Sequence, residues 1–438
     1  MKPMLSQFSP ISGWVRYSAL SLIWLFVLGC DLRHSFSMNG GLLQGTATRS
    51  AAGGVDSSIK EIELQNRFGE VKVIASEENS SGWSWDLKVK ARTDALAETT
   101  AKKVLFTAVT NGGTLSLVVE IPEANNTSFT SNLEIKSPKG VSVRAKNAFG
   151  PILVNGVAGP VDAFGEFGAL EINHVQNSVK ARNSFASLKL HDTGPANVKN
   201  QNGSVEASQV KGALVAETSF ANLEARDISG ALTARNQNGS VTADKIAGAA
   251  DLKTSFSPIS ATDIGGNLKA GNQNGGVKVR QVTGDAEIST SFGQISLSKV
   301  TGQAKLKNQN GSITVQECLG DVNATTSFSP IDIHSKGQNI SCRNQNGQIG
   351  IHAESASLSR IEAHTSFGNI EVHLPSGLKP AISARTSFAR VESDFPILSK
   401  PQGVNPFEGL DGGVPRITLE NQNAGIVIHE DKQLAGNR

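Results

Sequence analysis

The chain has 438 residues, of which 38% are hydrophobic, 5% aromatic and 18% charged, with 41 basic side chains against 39 acidic ones. A formal net charge of +2 argues against a sequence-independent nucleic-acid binder, which needs a basic surplus to displace counterions from phosphates. The apolar content argues against a disordered chain, and three cysteines cannot build a disulfide framework at this length, so stability has to come from packing or repetition.

The first residues read as an address. Lys2 and Arg16 form a positive leader, and Tyr17 to Leu28 is an apolar run, too short to span a bilayer comfortably and suited to a signal-peptide core. The run ends in Val27-Leu28-Gly29-Cys30, which resembles a bacterial lipobox. Residues 1–29 are therefore expected to be a lipoprotein signal peptide, with Cys30 taking lipid on its sulfur and amine and holding the protein to a membrane through roughly 0.8 kcal/mol per buried methylene. The expected location is the bacterial cell envelope, at the inner or the outer membrane; Asp31, next to the cysteine, favours inner-membrane retention in enteric bacteria. Residues 30–57, rich in Gly, Ser and Thr without periodicity, read as a flexible tether.

Between 58 and 145 the pattern predicts a β-rich N-terminal cap. Ile59 to Phe68, Glu70 to Ala75, Trp83 to Ala91, Thr114 to Pro122, Asn132 to Ile135 and Val141 to Ala145 alternate apolar and polar residues, as half-buried strands do. Asp94 to Val104 instead carries helix formers, with Asp94 as the expected cap.

From 146 to 430 the chain repeats, leaving 431–438 as a tail. Asn-Gln-Asn-Gly begins at Asn200, Asn236, Asn272, Asn308 and Asn344, and Thr-Ser-Phe begins midway between, at Thr218, Thr254, Thr290 and Thr326. Reading down 18-residue rows gives columns of one character: Leu223, Val241, Ile259, Val277, Ile295, Ile313; Ile228, Ile246, Ile264, Val282, Val300, Cys318; and Gly230, Gly248, Gly266, Gly284, Gly302, Gly320. Matching residues at a fixed period are what a coil requires when each turn stacks on its predecessor at about 4.8 Å. Short β-branched strands between Gly or Asn-Gly corners, with no crossover helix, predict an all-β fold: a single-stranded parallel β-helix of about sixteen turns between 140 and 430. The crossover preference and the lack of a uniform hexapeptide pattern favour a right-handed coil.

Phe220, Asn238, Phe256, Asn274, Phe292, Asn310, Phe328 and Asn346 share one column. The reading favoured from sequence turns these rings into the core: an asparagine between two rings relieves crowding, and Asn-Gly supplies the positive φ of a corner. The competing reading has the column present asparagine side chains to a glycan or mineral surface.

The alternating TSF and NQNG turns, each followed by an apolar-x-apolar strand, together with Ser137-Pro138-Lys139-Gly140-Val141-Ser142-Val143 after a β-rich leader domain, resemble the DUF4097 family of putative adhesins, or β-strand-repeat proteins. The resemblance spans about residues 58 to 430. It implies a right-handed β-helix on the cell envelope, and it carries no catalytic or cofactor-binding residue to transfer. The register slips late: Thr365 comes 39 residues after Thr326 and Thr386 only 21 after Thr365, a Pro- and Gly-rich excursion runs from Pro396 to Pro415, and Asn421-Gln422-Asn423 is expected to close the series.

No P-loop, HExxH, paired-cysteine metal signature or GxSxG elbow occurs, and NQNG lacks the carboxylates of calcium-binding repeats. The outward column Glu217, Arg235, Lys253, Gly271, Ser289, Lys307 changes chemistry at each turn, as a solvated face does. Cys318 and Cys342 fall in two different inward columns and read as small core residues that do not pair. His334, His352, His373, Asp394 and His429 each lie six residues after the Phe or Asn of their own motif, which places them in one outward column near the C-terminal end. Such imidazoles could converge on zinc or copper, but histidine is also a tolerated polar residue on an exposed strand, and neither a metal nor a cofactor is assigned. The expected function is that of a non-enzymatic, lipid-anchored envelope solenoid serving as an adhesion or scaffold surface, with a glycan or an envelope protein as partner and no nucleic acid. The alternatives are an envelope signalling or polymerising scaffold, since exposed β-helix ends can stack, a carbohydrate-active β-helix enzyme, and ice binding.

Overall fold

The computed structural model describes residues 43–76, 80–398, 405–408, 410 and 413–431. The expected signal peptide, Cys30 and the first part of the expected tether lie outside the described residues.

Each central repeat builds one rung of two strands. In the repeat that starts at Thr218, the first strand is Leu223–Ile228 and the second is Leu232–Arg235. Leu223 and Ala225 point inward on the first strand, and Leu232 and Ala234 on the second. Strict alternation would then put Asp227 inside and Ile228 outside. Asp227 instead adopts φ 54°, a left-handed residue that resets the parity, so Ile228 turns inward and pairs with Val210 of the rung before. The same reset recurs at Lys245, Asp263, Gln281, Lys299 and Glu317. These positions take long or polar side chains and no β-branched one, which suits the left-handed region.

The rungs stack in parallel and in register into two sheets, and the apolar columns fill the space between them. The result is nearly all-β, a parallel solenoid of about 13 turns with about 18 residues per turn, where about sixteen turns were expected. The Leu223, Ile228 and Gly230 columns sit as expected: the first two are buried. The third forms a ladder in which Gly248 donates to Gly230 at 3.1 Å and Gly266 to Gly248 at 3.1 Å. A Cβ on Gly248 would stand 2.7 Å from the Gly230 backbone, so close approach of successive turns sets the residue there.

The opposite corner is held by side chains. Asn236 Nδ2 donates to the Ala221 carbonyl one turn back (2.8 Å), Thr254 Oγ1 to Gly239 (3.0 Å), Asn272 Nδ2 to Ser257 (2.8 Å) and Thr290 Oγ1 to Gly275 (3.3 Å). The series continues through Asn308, Thr326, Asn344 and Thr365. Each asparagine also accepts from the glycine three residues on, as Asn272 Oδ1 does from Gly275 N at 3.1 Å. None of the NQNG glycines has a positive φ, so the expected turn chemistry is corrected: a Cβ on Gly275 would lie 2.4 Å from the Ser257 carbonyl oxygen, and it is room that glycine supplies.

At the N-terminal end the chain order and the spatial order differ. Strands β1 (Gly45–Gly54), β2 (Glu61–Phe68), β3 (Val71–Ser76), β4 (Gly82–Ala91), helix α1 (Asp94–Lys103), β5 (Leu105–Asn111), β6 (Thr114–Glu120), β7 (Ser128–Pro138), β8 (Ser142–Phe149) and β9 (Ile152–Asn155) lie in that sequence. The β2/β3 rung sits between the β6/β7 rung and the β8/β9 rung, parallel to both. The parallel stack therefore extends into the segment read as a separate cap. Antiparallel β5 covers the free edge of β6, and β4 followed by β1 covers that of β7.

Residues 45–54, read as tether, form β1. Its Arg49 donates to the Ala101 and Val104 carbonyls at the C-terminal end of α1 (2.8 and 2.7 Å). The helix is capped by Thr93, whose Oγ1 accepts from Leu96 N, while Asp94, the expected cap, accepts from Thr46 N and pins β1.

The C-terminal end repeats the same device. The rung made by Arg416–Asn421 and Ile426–Asp431 lies between Arg360–Thr365/Ile370–Pro375 on one side and Ala381–Arg385/Val391–Ser393 on the other. Asn421 thus does not close the series. It stands in register with Thr365 and within one rung of Thr386, whose Oγ1 donates to Ala424 O at 3.1 Å, so the Thr, Asn, Thr alternation is restored in space.

Asn272→Ala strips one donor and one acceptor from half-buried backbone partners, and an orphaned group costs about 1–3 kcal/mol when fully buried. A urea melt should show destabilisation of up to that order, and Asn272→Thr, which keeps the donor, should lose less. Coincident melts of parent and alanine variant would show that the corner bonds hold nothing.

Candidate functional site

The corner that buries Thr and Asn turns the third residue of each motif outward. Phe220, Phe256, Phe292 and Phe328 are 58–61% exposed, whereas Thr290 at the head of its motif is only 6% exposed. The inward placement expected for these rings is therefore overturned. The backbone at the corner comes too close to the previous turn to admit a ring, and the inward position goes to a small side chain that can bond the carbonyl below.

The expected sharing of one column by Phe and Asn holds. Asn238 Nδ2 donates to the Ser219 carbonyl (3.0 Å), and Asn274, Asn310 and Asn346 repeat the bond to Ser255, Ser291 and Ser327. The amides bind back to the corner, and the rings stand free.

Crowding does not explain the asparagines. Phe149, Phe167 and Phe185, on three consecutive rungs, stack with centroids 4.9 and 4.7 Å apart and planes within 3°, and Phe68 joins them at 5.0 Å from Phe149. These rings are 46–52% exposed from Phe149 to Phe185, so rings on adjacent rungs fit and cover one another's faces. From Phe220 onward every second rung carries an asparagine, the rings stand about 9.6 Å apart at two strand spacings, and each is more exposed. Phe367 and Phe388 continue the ridge to the last rungs, 59% and 80% exposed. The signal that could have placed the rings outside was the polar residue two positions earlier, which repeats as strictly as the ring does.

The other readings of single positions divide cleanly. The column from Glu217 to Lys307 lies outside the two-sheet core and remains polar. Cys318 and Cys342 are buried, unpaired and in different columns, against Val300 and Ala324; burial pushes their thiols up to about 11 and about 12. His334, His352, His373 and His429 do occupy one outward column, in direct register from rung to rung, with Asp394 beside His429. No helix among the described residues is long and apolar enough to cross a membrane, and Cys30 lies outside them.

No protein-family model matches the chain, and no curated protein matches it. Among solved structures it is similar to a putative cell adhesion protein from Clostridium sporogenes, at 10% identity over 88% of this chain and 100% of that one, with a TM-score of 0.16. A putative adhesin from Bacteroides fragilis matches at 14% identity over 62% of this chain and 97% of its own, with a TM-score of 0.19. Another, from Parabacteroides distasonis, matches at 11% identity over 88% of this chain and 98% of its own, also at 0.19. At these scores the likeness carries no argument about function.

An exposed ring is released by truncation at little cost, whereas a buried one costs about 3–5 kcal/mol. Phe292→Ala is expected to move the urea midpoint by the equivalent of less than about 1 kcal/mol. A loss in the range of a buried ring would return the column to the core.

Proposed function

We propose that the protein is a non-enzymatic adhesion module of the cell envelope, held to the membrane by lipid on Cys30 and making contact through its phenylalanine ridge. The observation that carries this reading is the ridge itself. Monomeric proteins rarely leave a line of large apolar groups in water, and where they do the patch marks an interaction surface. Here the line runs along the stack with a regular spacing, which suits a ligand that is itself a regular polymer. Aromatic faces flanked by amides match the apolar C–H face and the hydroxyl rim of a sugar ring, so the partner chemistry is that of a polysaccharide. The TSF and NQNG turns support assigning the chain to the DUF4097 family, and the Leu28-Gly29-Cys30 sequence supports the lipid anchor.

Two measurements test the two parts. The joint variant Phe220→Ala, Phe256→Ala, Phe292→Ala, Phe328→Ala should keep the parental circular dichroism and urea midpoint yet lose most retention on polysaccharide affinity gels. Equal retention of parent and variant, or none by the parent on any polysaccharide, rejects the ridge as a glycan surface. Cys30→Ala should abolish palmitate labelling in a bacterial host, and labelling that persists would reject the anchor.

A further inference from the structure

The four histidines in register near the C-terminal end form a second outward array, on a different column from the phenylalanines. Ring centroids are 4.2 Å apart for His334/His352, 4.2 Å for His352/His373 and 4.9 Å for His373/His429. Carboxylates flank the column. Asp332 lies 3.7 Å from His334, Glu371 and Asp431 lie 3.1 Å from the two nitrogens of His373, and Asp394 lies 3.8 Å from His429. Three overlapping sets of ligand atoms each fall within 4.8 Å of one another: Asp332/His334/His352, His352/His373/Asp431 and Glu371/His373/His429.

Ring orientation separates these sets. An imidazole binds a metal through a lone pair in the ring plane, so the ion has to lie near the plane of every ring that holds it. The pairs His334/His352 and His352/His373 are stacked with planes only 6° and 14° apart, and an ion between two such rings sits out of both planes. His373 and His429 are tilted by 38°, so their planes converge. The third set also has nearly the right edge length. Two ligand atoms at about 2.05 Å on a tetrahedral ion stand about 3.3 Å apart, and His373 Nε2 lies 3.1 Å from Glu371 Oε1.

The surroundings of His373 point the same way. Both of its nitrogens face carboxylate oxygens, Nδ1 towards Asp431 and Nε2 towards Glu371. A neutral imidazole has one N–H and one lone pair, so in that form one nitrogen would oppose an acceptor with nothing between them. A second ring proton, or a cation at one of the two nitrogens, resolves the mismatch.

We propose that Glu371, His373 and His429 hold a divalent ion of the zinc class, with the remaining position open to water. The two elements joined in this way are the Ile370–Pro375 strand and the Ile426–Asp431 strand that is threaded in beside it, so the ion would clasp the inserted C-terminal segment to the rung before it. The inference is independent of the adhesion reading.

The test uses the full chain without a polyhistidine tag, in thermal melts and calorimetric titrations with zinc chloride against a chelator-treated sample. The parent should melt a few degrees higher with zinc and bind one ion. His429→Gln and His373→Gln should abolish the shift, Glu371→Gln should weaken binding at least tenfold, and His334→Ala should leave both measurements unchanged. All four side chains are at least partly exposed, and the zinc-free melts of the variants check that they fold. No shift at any zinc concentration overturns the site. A shift that survives His429→Gln, or one that disappears in His334→Ala, overturns this placement.

Discussion

The hydrogen bond from an inward asparagine or threonine to the carbonyl of the turn below is the constraint on which the rest of the architecture depends. The strands need no help from side chains, because their backbone groups pair with the rungs above and below. At the corner the backbone leaves the strand direction, and a buried carbonyl there must find a donor. Threonine supplies one hydroxyl hydrogen and asparagine two amide hydrogens, plus an acceptor for the glycine N–H in its own corner. Each such bond is worth only about 1 kcal/mol net. In a stack where each turn contacts only its neighbours the contributions recur at every rung. The same bond requires a tight corner, the tight corner requires glycine at Gly275 and its equivalents, and together they expel the phenylalanine ring.

The two ends show that the alternation of TSF and NQN is a rule of space and only secondarily of sequence. Along the chain, Thr365 and Thr386 break the pattern. In the molecule Asn421 stands between them, because the last segment slots into a gap left by two earlier ones. At the other end β2 and β3 are likewise enclosed by strands that come later. Insertion leaves the terminal rung paired on both edges, so fraying of the last segment has to break two ladders. The N-terminal edges are also covered by antiparallel strands, which removes the parallel template for end-to-end stacking and weighs against a polymerising scaffold.

What was legible in the sequence followed the number of rungs that repeat a signal. The Leu223, Ile228 and Gly230 columns could be placed because every row carries the same chemistry for the same reason. The histidine column could be placed once the late insertions were subtracted. The phenylalanines were misplaced because hydrophobicity alone puts a ring inside, and it says nothing about a carbonyl that needs Thr290 or Asn272 more. The left-handed residues were invisible, since Asp227, Lys245 and Gln281 share no composition, only a position. Strand β1 was hidden by its Gly, Ala, Ser and Thr content; it is held by the helix it caps and by pairing with β4, neither of which shows in its own pattern. The proposed anchor at Cys30 rests on sequence alone, since that residue lies outside the described ones.

Because the core and the corners consume the inward positions, function in such a stack has to be written in outward columns. Most of these mix charges from rung to rung: Lys269, Glu287 and Lys305 stand in line with ion pairs of 3.4 and 3.9 Å. Exposed pairs of this kind add little stability, but like charges at one strand spacing would repel, so the alternation keeps the face neutral. The phenylalanine ridge and the histidine array depart from that rule. An unbroken apolar ridge would also be a surface for lateral association between copies. Interposing Asn238, Asn274, Asn310 and Asn346, each bonded back to the corner, breaks the ridge into separate rings and at the same time uncovers their faces. The early rungs, where Phe149, Phe167 and Phe185 cover one another, lack that interruption, and the contrast within one molecule identifies the asparagines as spacers for exposure.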